Sequence, residues 1–240
     1  MKKEDKNGWI LVIDSGSGGL FTLNKIKAVL PNENYIFYKD IKNCPYGNKT
    51  RFKLRKISFK IISDVQEKYT LKMVVLACNT LSSICLSYLQ KKFPNLPIIA
   101  TLPMLDDNIL SKPTLILATK NTIKFNRDIR RVKRQKNVYV YGFSDLARRI
   151  DDCKKHYENL QPYLDKKMTK FRRKYLVNVV LGCTHFNYIK PQIETALKTR
   201  VDFYESSESV AIYCEKLLKA IGKKSRKKAL GKTLEITDIN

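Results

Sequence analysis

Two cysteines in this sequence each stand where a run of apolar residues stops. Cys78 follows the run VVLA at 74–77, and Cys183 follows VVLG at 179–182. Both runs predict buried strands, and a helical pattern follows each cysteine. Two thiols at two similar strand ends could reach one substrate from opposite sides. One could remove a proton from one face of a carbon atom while the other returns a proton to the opposite face.

A cysteine at a strand end is most often a small buried apolar residue. That interpretation is kept for the other four cysteines, which are Cys44, Cys85, Cys153 and Cys214. Cys78 and Cys183 differ because each lies at a strand-to-helix junction, where free backbone N–H groups and the helix dipole favour a thiolate. Their neighbours Asn79, Thr80 and Thr184 carry amide and hydroxyl groups that can bind a carboxylate.

The glycine-rich segment DSGSGG at 14–19 follows the first predicted strand. It matches neither the dinucleotide-binding pattern nor the P-loop pattern, so a nucleotide site is not predicted. Asp14 is open to two interpretations, a cap of the following helix or a site residue. His185 is likewise either a buried core histidine or a group that tunes the thiol of Cys183, two residues before it.

Composition indicates a globular protein. The chain has 240 residues, 43% of them hydrophobic, and no apolar stretch approaches the roughly 20 residues of a membrane span. We therefore predict a cytoplasmic protein. No Cys-x-x-Cys pair is present and the sequence has two histidines, so neither a metal site nor a disulfide framework is predicted.

The net charge is +25, with 47 Lys and Arg against 22 Asp and Glu. This excess has three interpretations: nucleic-acid binding, attraction of an anionic small substrate, or basic residues spread over solvated helix faces. Charge runs most often lie on solvated faces, so the third interpretation is favoured.

Apolar runs alternate with amphipathic stretches along the chain. Strands are predicted at 9–13, 35–38, 72–77, 97–100, 114–118, 138–141, 177–181, 201–203 and 233–237. Helices are predicted at 20–30, 50–69, 80–91, 145–175 with a break near Pro162, 186–198 and 206–221. The alternation predicts an α/β fold of two similar domains, each a mainly parallel sheet flanked by helices, with the active site in the cleft between them. The predicted domains are 1–98 with 207–240, and 99–206.

Four blocks of the sequence resemble the glutamate racemases. They are IDSGSGGL at 13–20, YKD at 38–40 with PYGNK at 45–49, ACNT at 77–80, and LGCTHF at 181–186. Their order and spacing agree with the family over residues 9–220. The Cys-Thr-His form of the last block resembles glutamate racemases more than aspartate racemases, which usually carry Cys-Thr-Glu.

The resemblance implies that Cys78 and Cys183 are the two acid/base residues, acting on D- and L-glutamate respectively. It implies that Asp14 assists near Cys78 and His185 near Cys183, while Asp40 supports the site. The substrate-binding residues that it implies are Ser15, Tyr46, Gly47, Asn79, Thr80, Thr119, Thr122 and Thr184. It further implies a homodimer that needs no cofactor and supplies D-glutamate for peptidoglycan.

Some positions depart from the family pattern. Lys39 replaces a glycine, Leu81 an alanine and Phe125 a serine, and Asp145 is the nearest acid to a glutamate expected after the mid-chain strand. Two alternatives therefore stay open. One is an aspartate or other amino-acid racemase of the same superfamily. The other is a catalytically weak homologue whose basic surface binds nucleic acid or an acidic protein.

Overall fold

The computed structural model describes residues 8–226 and 229–237, and within them the chain forms nine strands and ten α-helices. The strands are β1 (Trp9–Asp14), β2 (Asn34–Lys39), β3 (Leu71–Leu76), β4 (Ile98–Ala100), β5 (Thr114–Thr119), β6 (Val138–Phe143), β7 (Asn178–Gly182), β8 (Asp202–Tyr204) and β9 (Thr233–Ile236). The helices are α1 (Gly19–Val29), α2 (Arg51–Lys68), α3 (Asn79–Lys92), α4 (Asp107–Leu110), α5 (Lys120–Phe125), α6 (Arg127–Val132), α7 (Leu146–Asp152), α8 (Gln161–Met168), α9 (Lys190–Leu197) and α10 (Ser207–Ala220).

The strands form two separate parallel sheets. The first has the order β4-β3-β1-β2-β9, and the second has the order β6-β5-β7-β8. Central strands of parallel sheets are covered on both faces, which is why β1, β3, β5 and β7 read as continuous apolar runs. The predicted fold class, two parallel-sheet α/β domains flanked by helices, is confirmed.

Each face of the first sheet has its own layer of core. Leu11 and Ile13 of β1 pack with residues of α2 and α3, whereas Ile10 and Val12 pack with residues of α1 and α10. This alternation follows from the two-residue period of a strand. The chain therefore returns from the second sheet to place α10 beside α1 on the first.

The predicted domain limits stay a prediction. Strand β4 hydrogen-bonds to β3 and so lies with the first sheet, although the predicted limit at 98 divides it. Helix α10 and strand β9 also join the first sheet.

Three local predictions differ from the structure. Helix α3 begins at Asn79 rather than at the predicted residue 80, and Cys78 is its N-cap. The break in the 145–175 region falls at 153–156, while Pro162 lies in the first turn of α8, where proline fits a helix. Residues Thr184–Ile189 form a 3-10 helix ahead of α9. Among the helices of residues 8–226 and 229–237, none has the length and apolarity to cross a bilayer.

Candidate active site

Cys78 lies between β3 and α3 and is buried. Burial raises the pKa of its thiol well above the usual value, and the charge of Asp14 raises it further. Backbone hydrogen bonds from Leu81 and Thr80 act in the opposite direction but do not outweigh burial. The helix terminus therefore acts on Cys78 in the expected direction, but burial outweighs it and the neutral thiol is the favoured form.

Cys183 follows β7 and has a different environment, because the His185 side chain hydrogen-bonds to it. His185 Nε2 also lies 3.0 Å from Asp151 Oδ2. Burial lowers the pKa of His185, but the hydrogen bonds to Asp151 and Cys183 outweigh it and raise that pKa well above the usual value. Burial raises the pKa of Asp151, whereas its hydrogen bonds to His185 and Ser17 lower it, with a net decrease. A protonated imidazole paired with a carboxylate thus lies against Cys183.

Asp14 connects the two cysteine environments. Its Oδ1 accepts a hydrogen bond from the Gly16 N–H at 2.8 Å, and its Oδ2 accepts one from Thr184 Oγ1 at 3.1 Å. The side chain is fully buried, and burial raises its pKa. Its charge acts on Cys78 as well as on His185. Asp14 does not cap α1, whose N-cap is Gly18 without a side-chain hydrogen bond, and its role as a site residue stays a prediction.

The glycine-rich loop between β1 and α1 touches the second domain directly. A Cβ atom on Gly16 would lie 2.5 Å from Asp151 Oδ2, and one on Gly18 would lie 2.6 Å from the His185 backbone nitrogen. Real side chains do not tolerate such distances, so glycine is required for close approach. Gly16 and Gly18 thus allow this loop to pack closely against His185 and Asp151 of the other domain.

Ser15, at the start of this loop, places its hydroxyl 4.0 Å from Cys78 Sγ. The charge of Cys183 also raises the pKa of Cys78, so the two sulfurs are electrostatically coupled. The structure therefore brings the two cysteines and their predicted assistants together in one connected set. That set comprises Asp14, Ser15, Cys78, Cys183, Thr184 and His185.

A second group of predicted residues is built around three threonine hydroxyls. Thr80 Oγ1 lies 2.9 Å from Thr119 Oγ1 and 3.1 Å from Thr122 Oγ1, and the latter two are 2.9 Å apart. Gly47 packs on Thr119, where an added Cβ would approach Thr119 Cβ to 3.1 Å. The adjacent Asn79 has a buried side-chain oxygen without a hydrogen-bond partner. This oxygen is a free acceptor beside Cys78.

Asp40 and Tyr46 hold the loop that follows β2. The Tyr46 hydroxyl donates to Asp40 Oδ2 at 2.6 Å, and the Asn43 side chain donates to Asp40 Oδ1 at 3.0 Å. Burial raises the pKa of Tyr46 well above its usual value, and the charges of Asp40 and Cys78 raise it further. Asp40 thus holds the loop through hydrogen bonds, whereas Tyr46 lies close enough to Cys78 for the charge of that cysteine to raise its pKa.

A cavity of about 500 Å³ opens beside Ser15 between the two domains. Cys44 and Asp151 lie on its wall, and Tyr188 contributes an aromatic surface. Burial raises the pKa of Cys44 to about 11, so its thiol is neutral near pH 7. Four basic side chains line the same cavity: Lys39, Arg148, Lys154 and Lys155.

The four residues that depart from the family pattern lie in different parts of the structure. Leu81 is buried in the core of the first domain, and Phe125 packs against the same core. Lys39 lines the cavity. Asp145 does not reach the site, because its carboxylate accepts hydrogen bonds from Arg149 and from Tyr163 at 2.6 Å each.

The acid that does reach the site is Asp151, which sequence reasoning missed. It lies near the end of α7 and contacts His185 from there. Ser17 was missed as well, although its hydroxyl donates to Asp151 Oδ1. The spacing of Asp151 from the apolar Ala147 could have indicated it. Residues four apart share a helix face, and Ala147 is buried, so Asp151 points towards the interior side of the helix.

Comparison with known proteins agrees with this geometry. No protein-family model matches the chain. The curated glutamate racemase of Clostridium perfringens is 31% identical over 237 residues, covering 96% of this chain and 91% of its own. That of Buchnera aphidicola is 35% identical over 231 residues, covering 88% and 84%. The structure of Escherichia coli glutamate racemase in complex with L-glutamate and the activator UDP-MurNAc-ala superposes with a TM-score of 0.76 at 27% identity, covering 94% of this chain and 88% of that one.

Paired parallel α/β domains with a thiol at matching strand ends, together with these relatives, define the class of the protein as a racemase, an isomerase. Given relatives above 30% identity across most of its length, the chain belongs to the glutamate racemase family. The resemblance seen in the four sequence blocks is thereby confirmed.

Proposed function

We propose that this protein interconverts L- and D-glutamate by a two-base mechanism that uses Cys78 and Cys183 and no cofactor. The observation that carries the proposal is the unlike environment of two electrostatically coupled sulfurs. Cys78 favours a neutral thiol, whereas Cys183 lies against the protonated His185. One sulfur is thus prepared to give a proton, and the other has a cation that balances negative charge on it.

With L-glutamate, the Cys183 thiolate would remove the proton from Cα, and the electron pair of the C–H bond would pass to the carbanion. The Cys78 thiol would then give its proton to the opposite face, which yields D-glutamate and leaves Cys78 as thiolate. D-glutamate would follow the same steps with the roles exchanged. Hydrogen-bond donors around the carboxylates would stabilise the developing charge.

The remaining predicted residues would hold the substrate. Near Cys78 and Asp14 lie three hydroxyls, those of Ser15, Thr80 and Thr184, and the free oxygen of Asn79. The hydroxyls could donate to a carboxylate of the substrate, and the Asn79 oxygen could accept from its ammonium group. Thr119, Thr122, Tyr46 and Gly47 would complete this pocket from the other side of Thr80. Asp14 would assist Cys78, His185 would assist Cys183, and Asp40 would support Tyr46.

The wider setting is part of the proposal. The protein would act in the cytoplasm as a homodimer and supply D-glutamate for peptidoglycan. Membership of the glutamate racemase family supports this setting. An aspartate racemase is the nearest alternative, and the Cys183-Thr184-His185 sequence favours glutamate over it.

Circular dichroism of purified protein with each enantiomer of glutamate and aspartate tests the proposal. We expect the glutamate signal to decay to zero from either enantiomer, and aspartate to react far more slowly. Replacement by alanine of Cys78 or Cys183 should lower the rate by a factor of at least about 100, because each acid/base group contributes roughly 10²–10⁴. Cys214→Ala, a buried cysteine on α10 outside the site, is the matched control and should keep the wild-type rate. Full activity in Cys78→Ala would refute the two-base mechanism.

A further inference from the structure

Ser17 makes a contact between the domains that the proposed mechanism does not use. It lies in the loop between β1 and α1, and its hydroxyl donates to Asp151 Oδ1 at 2.5 Å. Asp151 belongs to α7 of the second domain. The Ser17 carbonyl oxygen accepts a second inter-domain hydrogen bond, from the Tyr188 hydroxyl at 3.1 Å. Backbone and side chain of this one residue are therefore both fixed against the opposite domain.

The two oxygens of Asp151 are divided between two partners. Oδ1 accepts from Ser17, while Oδ2 lies 3.0 Å from His185 Nε2. A carboxylate held at both oxygens cannot rotate about its terminal bond without losing one of them. The direction of the His185 ring, and with it the hydrogen bond to Cys183, depends on that carboxylate.

We propose that Ser17 is a positioning residue, which holds Asp151 against His185 across the domain cleft and so sets the orientation of His185 at Cys183. The role of Cys183 as an acid/base residue rests on the proposed function. The arrangement Ser17–Asp151–His185 itself rests on the hydrogen bonds. Gly16 and Gly18 on either side permit the close approach that brings the Ser17 hydroxyl within reach.

Other charged or titratable groups also act on this pair. Asp14 at the end of β1 and Cys183 at the end of β7 both raise the pKa of His185. Lys39 on β2 lowers the pKa of Asp151, and the Cys44 thiol lies 3.9 Å from Asp151 Oδ2. None of these contacts is made by the Ser17 hydroxyl, so Ser17→Ala deletes one hydrogen bond and leaves these groups unchanged in sequence.

The sign of the effect follows from the hydrogen bond. The Ser17 hydroxyl favours the ionised form of Asp151 and lowers its pKa. Without it, the carboxylate is a weaker partner and is free to turn away from His185. The pKa of His185 should then fall, so that the imidazole loses its proton at a lower pH in Ser17→Ala than in the wild type.

NMR titration of the histidine rings in the full chain tests this inference without any substrate. The sequence has two histidines, and His156 is exposed, so it serves as an internal reference. In Ser17→Ala we expect the His185 midpoint to fall by about one pH unit, the scale of one hydrogen bond to a charged group. Ser17→Thr, which keeps a hydroxyl, should restore it, and the exposed control Ser111→Ala should leave it unchanged.

An unchanged His185 midpoint in Ser17→Ala, or an equal fall in Ser111→Ala, would overturn the inference. The racemase assay then reads the catalytic consequence, with the alkaline limb of kcat/KM moving to lower pH in Ser17→Ala and returning in Ser17→Thr. An alkaline limb that stays in place while the midpoint falls would overturn the link to Cys183. A wild-type protein that fails to racemise glutamate would refute the proposed function, while the NMR titration still decides the role of Ser17.

Discussion

At the scale of residues, the site contains two chemically identical side chains in unlike surroundings. Cys78 is buried beside a carboxylate, and its thiol keeps its proton. Cys183 has a protonated imidazole hydrogen-bonded to it, held in turn by Asp151. The surrounding charges, rather than the residue type, therefore distinguish the two cysteines.

The candidate site residues that lie at strand ends could be predicted from the sequence. Cys78, Cys183 and Asp14 each follow an apolar run, and parallel strands direct their carboxyl ends to one edge of a sheet. Asp151 could not be placed in this way, because it lies on a helix and meets His185 only through packing of the second domain. Asp145 was nearer to the strand, but Arg149 engages it at the surface.

At the scale of elements, adjacency in the sheets creates the site. β1 and β3 are neighbours in the first sheet, and β5 and β7 are neighbours in the second. The residues that follow these strands therefore lie side by side before the two domains meet. Strands were predictable because buried parallel strands are apolar throughout. The break at 153–156 and the 3-10 helix Thr184–Ile189 were not, because tertiary contacts set them.

The segment that follows α10 is attached to the first sheet by a buried ion pair. Lys72 Nζ on β3 contacts the Glu33 carboxylate, and both side chains are almost fully buried. Lys72 Nζ also donates to the Lys223 carbonyl at 3.1 Å, while Glu33 Oε1 accepts from the Ser225 N–H at 2.7 Å. This pair joins the segment after α10 to the strands beneath it.

Glu33→Ala should lower the free energy of unfolding by roughly 3–5 kcal/mol, because it leaves the buried Lys72 ammonium without its counter-charge. Urea denaturation measures the change. Glu215→Ala removes two solvent-accessible ion pairs, with Lys219 and Lys224, and should lower the free energy of unfolding far less. An equal decrease in the free energy of unfolding in the two variants would show that the buried ion pair stabilises the fold no more than the accessible ones.

At the scale of the whole molecule, the chain has a net charge of +25, and basic side chains also outnumber acidic ones in the lining of the cavity. Lys39, Arg148, Lys154 and Lys155 line the space beside Ser15. Against the two acidic residues of the lining, Asp151 and Asp152, these four give the cavity a net positive charge, which attracts anionic ligands and raises their association rate. The excess of basic residues could be counted from the sequence, but their position at the cavity required the fold.

Charge reversal at Lys154 and Lys155 should lower kcat/KM for glutamate by about tenfold and leave kcat nearly unchanged, because steering acts on association. The dependence of kcat/KM on ionic strength should weaken in the same variant. Reversal of Arg130 and Arg134, which are exposed and lie outside the cavity lining, changes net charge equally and is the control. A similar loss in both variants would assign the effect to overall charge.

The central claim is that protons leave and return on opposite faces of one carbon through two different sulfurs. Initial racemisation of L-glutamate in deuterium oxide, followed by NMR of both enantiomers, measures it most directly. We predict that the D-glutamate formed carries deuterium at Cα while the remaining L-glutamate keeps its proton. Deuterium entering the L-glutamate pool as fast as the D-glutamate product, or a product that retains the substrate proton, would contradict the account.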